Sequence, residues 1–222
     1  MATILLARHG ETDWNAERRW QGHADRPLNA RGREQARALA DRLDGTPLTV
    51  VYSSDLERAR ETAAVVAERR VIPHEVSRDL REVDVGSWSG MTKSDAEIRD
   101  PEGFRRWQNG RPGWTDGESY EEMSERVLGA IRQIAADHPD EPALVVAHAG
   151  PIRAVHAAAL GLDVHAYRRL RPVEPNARLS AVCLDADGAF TELCPAGSID
   201  EAIARDQRER AEAARRPPTP AG

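Results

Sequence analysis

This sequence predicts an α/β fold of three layers, a mostly parallel central sheet between helices, with an antiparallel edge strand and a small inserted cap. Three observations carry that reading. Short apolar runs alternate with amphipathic stretches of helical period, as expected of a sheet covered on both faces. Two closing runs, 178–184 and 189–193, flank Asp187-Gly188, a dipeptide suited to a hairpin turn. Between these regular parts, segment 85–118 breaks the rhythm with Trp88, Trp107 and Trp114 among scattered Gly and Pro, and reads as a cap over one end of the sheet.

The elements follow in order. Residues 3–7 form a short apolar run that reads as a buried strand. Residues 31–43 read as a helix, with Ala36, Leu39, Ala40 and Leu43 on one face. A second strand is expected over 48–52, which is rich in β-branched residues. Ser53-Ser54-Asp55 then offers N-caps to a helix over 56–69. A third apolar strand is expected over 143–147, and Pro151 stands where a helix running to about 160 begins. From about 199 the chain turns charged and Ala-rich and ends in a Pro-rich run, so a main domain over 1–198 and a fraying helical tail over 199–222 are expected.

Composition bounds the function. A chain of 222 residues suits one large domain or at most two small ones, and 40% apolar residues suffice for one core. The net charge of −6 gives no overall field for nucleic acid or anionic membrane. No apolar run is long enough to span a bilayer and no signal peptide follows Met1, so the cytoplasm is the expected compartment. The two cysteines, Cys183 and Cys194, are expected as diagonal neighbours on the closing hairpin, badly placed for a disulfide. Lys93 is the only lysine, and the other basic residues are arginines, whose guanidinium forks bind phosphate through paired hydrogen bonds.

The chemistry-bearing residues stand at strand ends, where open α/β sheets bind ligands. Arg8-His9-Gly10-Glu11-Thr12 follows the first strand, and Gly10 permits a close backbone approach. His148-Ala149-Gly150 follows the third, and two histidines at the ends of parallel strands meet in space. The helix beginning there also offers backbone N–H groups to an anion. Arg58 falls in the first turn of the helix after the second strand. A cation there opposes the helix dipole, which points to an anion held near it. Arg105-Arg106 in the cap offer either a second anion contact or a solvated helix face. Among the other histidines, His23 adjoins Gly22 and is a candidate substrate contact, while His138 reads as a surface residue and His156 as packed or solvated. No His-x-x-x-His or clustered carboxylate spacing suggests a metal, so no metal or cofactor is expected.

Together these motifs resemble the histidine phosphatase superfamily, also called the phosphoglycerate-mutase-like family, over roughly residues 4–193. The resemblance implies that His9 is the nucleophile that becomes phosphorylated. Arg8 and Arg58 match the family's phosphate-binding arginines, and His148 matches the second histidine, which contacts the transferring phosphoryl group. Asn15, Gln21 and Gly22 match the loop lining the phosphate site, and Ala149 joins them as a substrate-binding residue. Leu80-Arg81-Glu82 followed by Gly86-Ser87-Trp88-Ser89-Gly90 resembles the acid segment, making Glu82 the proton donor. Gly117-Glu118-Ser119 resembles a segment found after the variable insertion.

The superfamily holds both phosphatases and mutases. The short segment 83–116 and the Ala after His148 both resemble the phosphatase branch. The resemblance therefore implies a phosphomonoester hydrolase for small phosphorylated metabolites of sugar phosphate or phosphoglycerate type, with a homodimer as an option. A cofactor-dependent phosphoglycerate mutase is the alternative, and a non-catalytic phosphate-binding protein a more distant one.

Overall fold

A computed structural model of the chain describes residues 1–171 and 173–194. The expected tail over 199–222 lies outside the described residues. Six strands form one sheet: β1 (Ala2–Arg8), β2 (Val50–Ser54), β3 (His74–Ser77), β4 (Ala143–Ala147), β5 (Leu179–Leu184) and β6 (Phe190–Cys194). Their order is β3-β2-β4-β1-β5-β6. The pairings β3–β2, β2–β4 and β4–β1 are parallel, whereas β1–β5 and β5–β6 are antiparallel.

The helices are α1 (Asp13–Ala16), α2 (Ala30–Arg42), α3 (Glu57–Arg70), α4 (Lys93–Arg99), α5 (Pro101–Gln108), α6 (Tyr120–Asp137), α7 (Ala149–Ala159) and α8 (Val164–Leu170). No helix among the described residues is long and apolar enough to cross a membrane.

The sheet divides the core in two. On one face Leu39 and Ala40 of α2 and Ala59, Ala63 and Val66 of α3 pack against Leu5, Val51, Leu144 and Val146. On the other, Met123, Val127 and Ile131 of α6 and Ile152 and Val155 of α7 pack against Ile4, Leu6 and Val145. Both faces of β1 and β4 are therefore covered, which is why these strands are unbroken apolar runs. Each fully buried aliphatic side chain contributes about 1.5–3 kcal/mol relative to its exposed state.

Several boundaries differ from expectation. β2 begins and ends two residues later than the 48–52 run. Ser53 and Ser54 thus finish the strand instead of capping α3, whose N-cap is Leu56 without a side-chain cap. A carboxylate from elsewhere, Asp25, accepts from the Glu57 N–H at 2.6 Å. The strand β3 and the helices α6 and α8 add to the expected elements. The cysteines are offset on the hairpin, Cys183 facing Thr191 and Cys194 facing Ala181, with a register irregularity between Ala181 and Val182.

Segment 85–118 contains a 3₁₀ turn (Gly86–Trp88), α4 and α5. A Thr92/Asp95 capping box starts α4, and Asp100 with Pro101 at the first position starts α5. The fully buried Trp88 ring lies 4.7 Å from Trp20 and 5.9 Å from Trp114, and its N–H donates to Asp100 at 3.0 Å. Segment 85–118 is thereby packed against the loop that follows α1.

Candidate active site

The sheet register assembles the site. Arg8 of β1 pairs with Ala147 of β4, so the next residues, His9 and His148, emerge side by side at the carboxyl edge. Their ring centroids are 5.1 Å apart, and both side chains are buried. β4 lies between β1 and β2, so the helix after β2 delivers Arg58 from the far side of His148.

Hydrogen bonds fix both tautomers. His9 Nδ1 lies 2.7 Å from the Gly10 carbonyl, which can only accept. Nδ1 therefore carries the proton, and Nε2 presents its lone pair. Arg58 Nε donates to His148 Nδ1 at 3.2 Å. His148 then carries its proton on Nε2, an atom that is buried and has no hydrogen-bond partner. Burial, reinforced by the charges of Arg58 and Arg8, holds the His9 imidazole well below its ordinary value. Burial and Arg58 do the same for His148. Both rings are neutral near pH 7.

The arginines are held in place before any ligand arrives. Arg58, 1% exposed, donates through its two terminal nitrogens to the Ala24 and Gly22 carbonyls. Burial lowers its pKa to about 10, so it keeps its charge at neutral pH. Arg8 donates to the Glu174 carbonyl at 2.6 Å, while its Nε is buried and unpartnered. The signature loop is clamped from three sides. Gly10 N–H donates to Thr62 Oγ1, Asn176 donates to the His9 carbonyl, and Gly10 lies so close to Gly32 that a Cβ would stand 2.5 Å from the Gly32 oxygen. Close approach, not a positive φ, is what glycine supplies there.

Asn15 and Gln21 converge: the Thr12 hydroxyl lies 3.1 Å from the carboxamide oxygen of each. Gly22 has φ +51, and a Cβ there would meet Val85 at 2.6 Å. Glu82 crosses from the cap side. Its Oε1 accepts from the Val83 and Gly150 N–H groups, both at 3.0 Å, and its Oε2 makes a longer contact of 3.3 Å to Gly150. The free N–H groups expected at the start of α7 thus serve, at Gly150, an acid of the protein itself. Arg126 pins the segment by donating to the carbonyls of Asp79, Arg81 and Glu82 while forking onto Glu118 at 2.6 and 2.7 Å.

These parts surround a cavity of about 330 Å³. Arg8, His9, Asn15, Gln21, Gly22, Arg58, Glu82 and Ala149 line it; His148 is fully buried beside His9. Two open candidates stay off the cavity, and one surface reading is corrected. His23 does not line the cavity but bonds the Glu82 carbonyl at 2.8 Å. Arg105 and Arg106 do not line it either: Arg105 is exposed and Arg106 bonds the Gly113 carbonyl. His138 is half-buried against the Tyr52 hydroxyl instead of lying on the surface. His156, read as packed or solvated, is packed and bonds Ser180 at 2.7 Å. The cationic lining missed in the sequence comes from Arg18, Arg19, Lys93, Arg153 and Arg168, and Trp107, Trp114 and Tyr120 are among the aromatic residues of the wall. Arg153 alone had a local signal, standing five residues after His148 on the helix that opens at the site.

Comparison with known proteins agrees with this geometry. The sequence profile described as histidine phosphatase superfamily, branch 1, matches residues 4–194. Phosphoserine phosphatase 1 of Hydrogenobacter thermophilus is 38% identical over 168 residues, covering 74% of this chain and 79% of the relative. A probable phosphoglycerate mutase of Salmonella arizonae is also 38% identical, over 77% of this chain and 80% of its own. The structure of a mycobacterial glucosyl-3-phosphoglycerate phosphatase complexed with VO3 superposes with a TM-score of 0.76 at 31% identity, over 86% of this chain and 96% of that one. Profile, sequence relatives and fold agree, and the chain belongs to the histidine phosphatase superfamily, branch 1.

Proposed function

We propose that this enzyme hydrolyses small phosphorylated metabolites by way of a phosphohistidine on His9. The observation that carries the reading is the His9 tautomer: the Gly10 carbonyl holds the Nδ1 proton and leaves the Nε2 lone pair beside two fixed arginines. Nε2 attacks phosphorus, and the bond from phosphorus to the ester oxygen breaks. Arg8, Arg58 and the His148 Nε2–H stabilise charge on the phosphoryl oxygens. The departing oxygen takes a proton from Glu82. Water then attacks the phosphohistidine, gives a proton to Glu82, and releases orthophosphate as the N–P bond breaks. Phosphatase-named relatives support hydrolysis as the outcome. The expected setting is the cytoplasm, with a homodimer as an option that gel filtration tests.

The test is a panel of phosphomonoesters assayed for phosphate release, together with interconversion of 2- and 3-phosphoglycerate in the presence of bisphosphoglycerate. Release from several monoesters with little isomerisation is expected. Isomerisation that outruns phosphate release by a wide margin would replace the hydrolase reading with the mutase one. Because Arg8 and Arg58 supply the positive charge and His148 a hydrogen-bond donor, activity is expected to survive exhaustive chelation. Vanadate, a mimic of the five-coordinate transition state, is expected to inhibit. Activity lost to a chelator and restored by a divalent ion would contradict this mechanism.

A further inference from the structure

Beyond the phosphoryl-binding arginines the cavity holds a second cationic group, built from α7 and α8. Arg153, on α7 one turn after Gly150, and Arg168, on α8, both line the cavity. The Nε of Arg153 is buried without a hydrogen-bond partner. Arg168 lies with its guanidinium carbon 4.1 Å from the centre of the Tyr120 ring and donates to the Gly110 carbonyl at 3.1 Å. Among the described residues neither arginine has an ion-pair partner. Burial and the like charge of Arg168 both lower the Arg153 pKa. Two like charges brought together in a half-buried wall cost energy that an anionic group bound between them would offset.

Glu82 shares one cavity wall with both groups: Arg8, Arg58, Glu82, Arg153 and Arg168 all line it. In the mechanism above, Glu82 meets the leaving oxygen, and the alcohol portion that this oxygen carries shares the cavity with Arg153 and Arg168.

We propose that Arg153 and Arg168 form a specificity subsite for a second anionic group, a carboxylate, on the alcohol portion of the substrate. The proposal rests on the phosphatase reading and deepens it: the preferred substrates are phosphorylated hydroxy or amino acids instead of neutral sugar or polyol phosphates. Arg105 and Arg106, which the sequence offered as either a second anion contact or a solvated helix face, stand off the cavity, whereas Arg153 and Arg168 are on its wall.

The test compares two monoesters of like size and leaving group, 3-phosphoglycerate and glycerol 3-phosphate, with 4-nitrophenyl phosphate as a reference. For the wild-type enzyme, kcat/KM is expected to favour 3-phosphoglycerate. In Arg153→Met and, separately, Arg168→Gln, kcat/KM for 3-phosphoglycerate is expected to fall roughly 10- to 100-fold, the scale of one charge-assisted hydrogen bond. The values for glycerol 3-phosphate and 4-nitrophenyl phosphate are expected to stay within about threefold, which a merely structural defect would not allow. Arg153→Lys is expected to recover part of the loss, because it restores charge without the planar fork. Equal losses on all three substrates, or a wild type indifferent to the carboxylate, overturns the subsite. Failure of the wild type to hydrolyse any of the three would instead strike the phosphatase reading itself. Isomerisation of 3-phosphoglycerate that depends on Arg153 would keep the subsite and overturn hydrolysis.

Discussion

His9→Ala is expected to lower phosphate release by on the order of 10⁴–10⁶-fold, the scale on which loss of an attacking group is felt. The cause is specific. Thr12 is buried beneath Asn15 and Gln21, and His148 has its Nδ1 lone pair occupied by Arg58 and its Nε2 protonated, so neither offers a substitute nucleophile. Rapid-quench labelling with a radioactive monoester is expected to show acid-labile phosphate on the wild type and none on the variant. Binding of vanadate should persist, since Arg8 and Arg58 are held by carbonyls and not by His9. Near-wild-type turnover in His9→Ala would sink the mechanism.

The same histidine sets a pH signature. Burial and the neighbouring arginines hold His9 well below 6.5, so the nucleophile stays neutral on the acid side of that value. The acid limb of kcat/KM, as far as it reports His9, is expected well under pH 6.5. Stability runs in a linked sense. Below about 6.5 the unfolded chain binds protons on His9 and His148 that the folded chain refuses, so stability is full above that pH and declines as pH falls toward the depressed folded values. Thermal melts between pH 8 and 5 measure it, and His9→Ala should flatten the slope.

Much of this was legible in the sequence, for identifiable reasons. β1 and β4 are buried on both faces, so they announce themselves as apolar runs, and the residues just past their ends are the ones the sheet must place together. Arg8, His9 and His148 were legible on that ground. Glu82, Asn15 and Gln21 were not: they arrive on loops, and only family resemblance marked them. β3 was invisible because an edge strand reading His-Glu-Val-Ser has no apolar face to display. Arg153 and Arg168 were hidden among thirty-one basic residues, since whether an arginine meets solvent or a cavity depends on how α7 and α8 pack. Arg105 and Arg106 drew attention as a doublet in the cap, but adjacent helical residues face different ways, and neither reaches the cavity.

Glu82→Gln is expected to separate substrates by leaving group. The carboxamide oxygen can still accept from the Val83 and Gly150 N–H groups, the two bonds that hold Oε1, so the side chain keeps its place. What changes is the other position: Oε2, with its single long contact to Gly150, becomes an NH₂ that cannot hand over a proton. An alkoxide leaving group needs that proton, whereas 4-nitrophenolate departs almost without it. Loss on alkyl monoesters is therefore expected at roughly 10²–10⁴-fold, with a much smaller loss in phosphoenzyme formation from 4-nitrophenyl phosphate. Gly150→Ala approaches the same group from its support. A Cβ at 150 would stand 2.2 Å from Oε1, and the flexible carboxylate must swing aside while the helix stays. Its melting temperature is expected to remain within a few degrees of wild type as its alkyl-monoester activity falls with that of Glu82→Gln. Equal losses of Glu82→Gln on alkyl and aryl substrates would make Glu82 a positioning residue and pass the proton-donor role to another carboxylate. Asp84, held at the Gly86 N–H and 3.7 Å from His23, would be the next to test.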